Sequence, residues 1–135
     1  MTQEHKELLF KDLCARLPYH TRIKVWLKDG TTEEGALDLE HNYGDVLRDA
    51  FYYDKIVKIK PYLFPLSSMT EEQKKEYNIL RDDVPTYHYE FGDIIEDTIL
   101  YDNWESIDYL NAHHFDFRGL IEKGLAIDAT GLNIY

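Results

Sequence analysis

The chain has 135 residues, of which 44% are hydrophobic and 14% aromatic, so it is not a disordered tail and can bury a core without disulfides or metals. Its net charge of −11 lies almost wholly in residues 70–135, which hold five Lys/Arg and fifteen Asp/Glu, whereas residues 1–69 hold ten and eleven. That acidity argues against direct nucleic-acid binding, which needs a basic face. Because Cys14 is the single cysteine, an intramolecular disulfide and a cysteine-based zinc cluster are excluded as well.

The first predicted element is a helix over residues 2–17, in which leucines recur at every fourth position. Thr2 is expected to cap its N-terminus, Pro18 to stop it, and Cys14 to be a small buried side chain on it. Antiparallel strands follow, and Asp29-Gly30 predicts a type I′ turn between the first two. They are predicted, in chain order, over residues 21–28, 32–40, 46–53 and 55–60, with an apolar connector over 61–69.

The second half is predicted to alternate between helices and less regular segments. A capping box from Thr70 to Gln73 predicts a helix over residues 71–81. Alternating aromatic residues predict a strand from Tyr87 to Phe91, whereas residues 94–101 fit either a strand or a loop. The remaining predictions are a helix over 103–114 whose capping box joins Asp102 to Glu105, one helical turn ending at Gly124, and a short terminal strand.

The order helix, strand, Asp-Gly hairpin and glycine-containing strand resembles a small barrel of the SH3-like or Sm-like kind. The residues that carry this resemblance are 25–30 (VWLKDG) and 34–37 (EGAL), and it covers residues 8–60. The predicted fold class is therefore α+β. An N-terminal helix and a small antiparallel β-barrel form residues 1–69, and a helical acidic extension over 70–135 packs on them.

A second resemblance covers most of the chain. It rests on residues 8–19 (LLFKDLCARLPY), 60–73 (KPYLFPLSSMTEEQ), 111–121 (NAHHFDFRGLI) and 124–126 (GLA). These strings are similar to an uncharacterised family of short proteins from phages and mobile elements of gut Bacteroidetes. The resemblance implies no particular activity. It implies a setting, that of small accessory proteins, some of which interfere with host defence.

The chain shows no pattern that would direct it to a membrane. Residues 1–7 contain no basic segment followed by an apolar run, and no apolar stretch approaches the ~18 residues that span a bilayer. We therefore expect no membrane contact and a cytoplasmic location in the bacterial host. Since small barrels often pair edge to edge, a homodimer through the strand at 55–60 stays open.

The densest polar cluster is the segment from His113 to Arg118. Adjacent histidines on a helix point about 100° apart and do not readily share one metal, so we expect no metal site here. Our interpretation is a helix C-terminus where imidazoles meet free carbonyls, with Arg118 paired to Asp116. An enzyme that uses His114 with a nearby carboxylate is retained as an alternative.

Two sets of residues are candidates for binding. The first set would line a pocket between barrel and helices that binds a small ligand such as a nucleotide. Its residues are Trp26, Tyr52, Tyr53, His114 and Arg118. The second would form an acidic surface for a basic partner: Glu90, Asp93, Glu96, Asp97, Glu105 and Asp108. No phosphate-binding glycine loop, nucleophile elbow or HExxH pair is present, so no catalytic residue and no cofactor is assigned.

The function that these patterns favour is binding. We expect a non-enzymatic accessory protein of the phage type that contacts a host protein through its acidic surface, with counter-defence as one purpose. The alternatives are a protein that binds or sequesters a small ligand such as a nucleotide, and the enzyme based on His114.

Overall fold

The computed structural model describes residues 2–37 and 56–135 and shows an α+β fold that divides into two compact units. The first, here called the core unit, contains Met1–Ser68 and Asn111–Tyr135; the second, the hairpin unit, contains Met69–Leu110. The predicted division at residue 69 differs from this one, because it leaves the last 25 residues in the second part. Two short strands from those residues pair with the sheet of the core unit, which is why they belong to it.

The helices and strands follow one another along the chain, with 3-10 turns at Leu17–Tyr19 and Leu66–Ser68. The α-helices are α1 (Gln3–Arg16), α2 (Glu71–Leu80) and α3 (Trp104–Ala112). The strands are β1 (Arg22–Leu27), β2 (Thr32–Ala36), β3 (Ile56–Pro65), β4 (Asp82–Glu90), β5 (Asp93–Tyr101), β6 (Phe115–Asp116) and β7 (Ile127–Asp128). The second half is thus a mixture of two helices and a long hairpin, so its prediction as a helical part is not confirmed.

The sheet of the core unit has the order β2-β1-β3-β6, and β7 also pairs with β3. Strands β1, β2 and β3 are antiparallel, whereas β6 and β7 run parallel to β3. Within residues 2–37 and 56–135 the sheet does not close into a barrel. The third predicted strand, 46–53, lies outside the described residues, so the barrel stays a prediction.

The turn between β1 and β2 differs from the predicted type I′ turn. Leu27 accepts a hydrogen bond from the N–H of Gly30 at 3.1 Å and donates one to the carbonyl of Thr31 at 2.9 Å. Gly30 has φ +89°, whereas Asp29 is not among the residues with positive φ. The loop therefore has three residues, 28–30, and ends in a glycine in the left-handed conformation. The carboxylate of Asp29 accepts a hydrogen bond from the N–H of Thr31, which stabilises this turn.

Strand β3 continues through Pro61, where the prediction ended it. Pro61 is paired with Ile23 of β1, and the next residue, Tyr62, is paired with Ile127 of β7. The proline is the last residue of β3 that pairs with β1, and the pairing with β7 begins one residue later. Its missing N–H therefore interrupts little of either ladder. The long strand carries much of the apolar core, to which α1 contributes Leu9 and Leu13.

The helix predictions are confirmed in position and corrected at their ends. Thr2 caps α1 and the Thr70–Gln73 capping box begins α2, as expected. The cap of α3 is Asn103, which exchanges hydrogen bonds with Ser106 at 2.8 and 2.9 Å, so the predicted pairing of Asp102 with Glu105 is wrong. Cys14 is exposed rather than buried, because it lies on the face of α1 opposite to the core.

Candidate functional site

Strands β4 and β5 form an isolated two-stranded hairpin, joined at its tip by Phe91-Gly92. Both tip residues have positive φ, +52° for Phe91 and +86° for Gly92, as a type I′ turn requires. Glycine adopts this backbone conformation freely, whereas a bulky side chain does so at a cost of about 1–2 kcal/mol. An aromatic residue is therefore held in a strained position at the tip.

The side chains near this tip form an exposed apolar cluster, which we call the tip patch: Tyr87, Tyr89, Phe91 and Ile94. Tyr89 is directly opposite Ile94 in the register, and Tyr87 lies two residues before Tyr89, so all three share one face of the hairpin. Phe91 is 97% exposed, Tyr89 77% and Tyr87 67%. Large apolar side chains grouped in solvent are typical of interaction sites.

The predicted acidic residues do not form one continuous face. Glu96 is opposite Tyr87 in the register and shares the face of the tip patch, whereas Asp97 points to the other face. Asp93 is paired with Glu90 next to the turn. Glu105 and Asp108 are exposed on α3, in a different element. The structure therefore brings part of the predicted acidic surface beside the tip patch and leaves the rest on the helix.

The base of the hairpin is held by polar contacts that converge on Asp102. Its carboxylate accepts hydrogen bonds from the hydroxyl of Tyr77 and from Ser106 Oγ, the latter at 3.1 Å, and lies 3.6 Å from Arg81 Nε. Arg81 also donates to the carbonyl of Leu100 at 2.6 Å. Burial and the hydrogen bond to Asp102 raise the pKa of Tyr77 to about 12, so this hydroxyl stays a donor.

His114 is a structural residue of the core unit. Its φ of +62° places it in the left-handed turn after α3, and its carbonyl accepts from the N–H of Phe64 at 2.8 Å. Its ring stacks on Tyr135 with centroids 3.8 Å apart, and Nδ1 lies 3.2 Å from Thr21 Oγ1. Burial and the charge of Arg16 lower the pKa of His114 to about 4, so the ring is neutral at pH 7.

Among the described residues no carboxylate contacts this imidazole, which therefore has no partner for the acid–base alternative.

Arg118 pairs with α1 rather than with Asp116, so that part of the sequence interpretation is wrong. Its Nη1 donates to Asp12 at 2.7 Å, and the other oxygen of Asp12 accepts from Arg16 Nε at 2.9 Å. Arg16 also donates to the carbonyl of Phe115 at 2.7 Å. The carboxylate of Asp116 instead accepts from the backbone N–H groups that open the turn after residue 119. The segment thus closes the core unit around a buried ion cluster.

Trp26 lies apart from these residues. It is half-buried on the outer face of β1, and the ammonium group of Lys58 is 4.1 Å from the centre of its ring. The N–H of Arg22, four positions back along the strand, donates to Tyr135 next to His114, so Trp26 is roughly 13 Å further on at 3.3 Å per residue. Tyr52 and Tyr53 lie outside the described residues. The described residues therefore do not bring the predicted ligand pocket together.

Among the residues that the structure describes, no group of three or more His, Cys, Asp or Glu side chains could hold a metal ion. None of the helices in this described part of the chain is long and apolar enough to cross a membrane.

Comparisons with protein-family models, with curated proteins and with solved structures found no match. The resemblance to proteins of phages and mobile elements therefore stays a prediction.

The sequence interpretation found the acidic residues and missed the tip patch. The alternation of Tyr87, Tyr89 and Phe91 predicts a strand, but it does not indicate whether other parts of the chain cover these side chains. The structure shows that Phe91-Gly92 is the turn of the hairpin. Within residues 2–37 and 56–135 the two strands pair only with each other, and the side chains near the turn are exposed.

Proposed function

We propose that this protein is a non-enzymatic binding protein whose hairpin unit docks on a basic surface of another protein. The observation that carries the proposal is the tip patch, because its aromatic side chains are exposed and adjacent near the turn of one hairpin. Aromatic anchors of this kind supply much of the affinity of protein interfaces when a partner buries them.

The charge of the hairpin unit determines which partner suits it. Residues 69–110 hold twelve Asp/Glu against three Lys/Arg, a net charge of −9. Glu96 lies on the face of the tip patch itself. Such a surface attracts a positively charged partner and repels a second copy of itself, so we assign it to a different, basic protein rather than to a homodimer.

The strained tip residue supports the same function. Asn or Gly at position 91 would satisfy the turn at less cost than Phe91, whose side chain gains nothing from burial because it is 97% exposed. Backbone strain of this kind concentrates at sites that act on a ligand. Phe91 is therefore the residue that we expect to enter the partner most deeply.

The family resemblance implies a protein of a phage or mobile element. We therefore propose that the partner is a protein of the bacterial host and that binding interferes with host defence. This part of the proposal depends on the resemblance alone. The docking surface does not, since it depends on the side chains of the hairpin.

Site-specific photocrosslinking tests the docking surface. A photoreactive phenylalanine analogue replaces Phe91 in the full chain, which is then irradiated in bacterial lysate at low and at high salt. We expect adducts with basic proteins at low salt and their loss at high salt, because screening weakens the attraction. The control carries the same analogue at Ile79, another exposed apolar position of the hairpin unit, on α2.

Three results would contradict the docking surface: no adduct at position 91, equal adducts at positions 91 and 79, or adducts whose yield is independent of salt. An adduct confined to position 91 then gives a defined partner. With that partner purified, replacing Tyr89 by Ser is expected to weaken binding by about tenfold or more, as for an interface anchor.

A further inference from the structure

The hairpin of β4 and β5 has two outer edges, and backbone groups point out of both. At its two-residue turn the flanking residues, Glu90 and Asp93, form a hydrogen-bonded pair, and such pairs alternate with non-hydrogen-bonded ones along the ladder. The residues whose N–H and C=O groups point outward are therefore 83, 85, 87 and 89 on β4 and 94, 96, 98 and 100 on β5. Within residues 2–37 and 56–135 no third strand lies along either edge.

A proline protects the edge of β4. Pro85 is opposite Thr98 in the register, at a position whose backbone nitrogen points outward, and a proline has no N–H to offer there. Proteins place proline on exposed edge strands with the effect that another strand cannot pair along them. Since β5 contains no proline, its edge is the one that stays open to a further strand.

The outer edge of β5 is occupied near its base and open near the turn. The carbonyl of Leu100 accepts from Arg81 at 2.6 Å, and the N–H of Thr98 donates to the carboxylate of its neighbour Asp97 at 3.0 Å. Ile94 is 63% exposed, and residues 96–99 are exposed as well. The open stretch is therefore the half of the edge that adjoins the tip patch.

The side chains of this stretch indicate which strand would fit beside it. Residues 94–99 are two isoleucines, Glu96, Asp97, a threonine and an isoleucine. Neighbouring strands place residues directly opposite one another, where opposite charges attract and apolar side chains pack. The matching segment therefore has two adjacent basic residues with apolar or β-branched residues on both sides. A second copy of β5 does not match, because this strand has three carboxylates and no lysine or arginine.

We propose that the partner adds an extended basic segment as a third strand along residues 94–99 of β5. The inference rests on the proposed docking function and specifies how the hairpin unit holds its partner, namely by backbone hydrogen bonds at the edge. Ile94 and Glu96 contribute to the edge and to the tip patch together, since their side chains share its face. A two-stranded hairpin is marginally stable alone, and a third strand supplies the pairing that it lacks.

An NMR titration of the full chain with a short peptide tests the inference. The probe is Val-Thr-Lys-Lys-Thr-Val with blocked ends, which reads the same in both directions and so fits a parallel or an antiparallel strand. We expect saturable shifts and slower hydrogen exchange at the amides of Ile94 and Glu96, with a Kd of about 1 mM or lower. The isomer Lys-Val-Thr-Thr-Val-Lys places its lysines away from the two carboxylates and is expected to bind about fivefold more weakly.

Proline variants locate the edge. Glu96→Pro removes an outward N–H from β5 and Asp83→Pro removes one from β4, and each also removes one carboxylate. We expect the first to weaken binding of the probe by about tenfold or more and the second to leave it within about twofold. Glu96→Gln removes the charge and keeps the N–H, so its expected loss is about threefold. If Glu96→Pro fails to fold, Glu96→Gln and the positions of the slowed amides in the unaltered chain decide the question.

Four results would overturn the inference: no saturable change at Ile94 and Glu96 with about 5 mM probe, changes confined to the side chains of the tip patch, equal binding of the two peptides, or equal losses in the two proline variants. Slower exchange at these amides on concentrating the chain without peptide would also overturn it, because the edge would then pair with a second copy. The docking surface survives each of these results if the photocrosslink at position 91 forms. Absence of that crosslink contradicts the docking function itself.

Discussion

The two units of this protein are stabilised by different kinds of contact. In the core unit, apolar side chains of α1, the sheet and the residues after 119 meet in one buried cluster. None of the members of that cluster belongs to the hairpin unit, where Tyr77 stacks on Tyr109 at 6.2 Å and carboxylates accept from both hydroxyls. α2 contributes no buried residue.

The difference extends to what each unit leaves in solvent. The core unit buries an aspartate and an arginine completely, Asp12 and Arg16, and pairs their charges with each other. The hairpin unit exposes isoleucine, phenylalanine and tyrosine side chains instead. A unit with little apolar burial is expected to open more readily, and the surface that it exposes is available to a partner.

The largest effect is expected from Asp12→Ala in the core unit. It leaves the buried guanidinium group of Arg16 and the partly buried one of Arg118 without their shared carboxylate, so we expect a loss of about 3–5 kcal/mol in the free energy of unfolding. Chemical denaturation followed by circular dichroism measures it. Asp93→Ala, at an exposed position, is the control and should change stability by about 0.5 kcal/mol or less. A small loss for Asp12→Ala would show that the ion cluster does not support the core unit.

A pair of apolar truncations compares the two units directly. Leu63 is fully buried, whereas Ile79 is 81% exposed. Leu63→Ala is expected to cost about 2–5 kcal/mol of unfolding free energy because it leaves a cavity, and Ile79→Ala about 0.5 kcal/mol or less. Thermal and urea denaturation of both variants give the two values. Similar losses would mean that the hairpin unit buries apolar surface as the core unit does.

The pH dependence of stability tests the core unit at His114. The pKa of this ring is about 4 in the folded chain and close to 6.5 when unfolded, so the unfolded chain takes up the proton first as pH falls. Stability is therefore present above pH 6.5 and is lost between pH 6.5 and 4. Because the ring is partly exposed, solvent screens part of this pKa shift, and we expect the free energy of unfolding to fall by about 1–2 kcal/mol over this pH range. His114→Gln should remove this component from a series of urea titrations, and an unchanged pH profile would contradict it.

The contacts at Asp102 offer a test of the hairpin unit. Tyr77→Phe removes the hydroxyl that donates to this carboxylate and keeps the ring stacked on Tyr109, so we expect a loss of about 0.5–1.5 kcal/mol. Hydrogen exchange should show faster exchange in β4 and β5 with no change in β1 and β3. Uniformly faster exchange would mean that the two units open together.

The smallest effect is a gain. Phe91→Gly relieves the left-handed strain at the tip and is expected to stabilise the hairpin by about 0.5–1 kcal/mol. Phe91→Ala removes the ring and keeps the strain, so it serves as the matched control. Both variants should lose binding to the partner, and hydrogen exchange of the β4–β5 amides measures the gain. A loss of hairpin stability in Phe91→Gly would show that the ring supports the fold.

The helices and the amphipathic strand β1 could be predicted from local patterns. The caps at Thr2 and Thr70 and the alternation of Ile23 and Val25 depend on neighbours a few residues away, so the sequence specifies them closely. The acidic character of the second half is equally a property of composition.

Tertiary structure alone decided which partners those residues meet. Asp12 and Arg118 are 106 positions apart, and their pairing at 2.7 Å follows from how the turn after α3 returns to α1, which no local pattern encodes. The same holds for the tip patch. Local propensity sets how a segment is shaped, whereas exposure and charge clustering depend on what the rest of the chain covers.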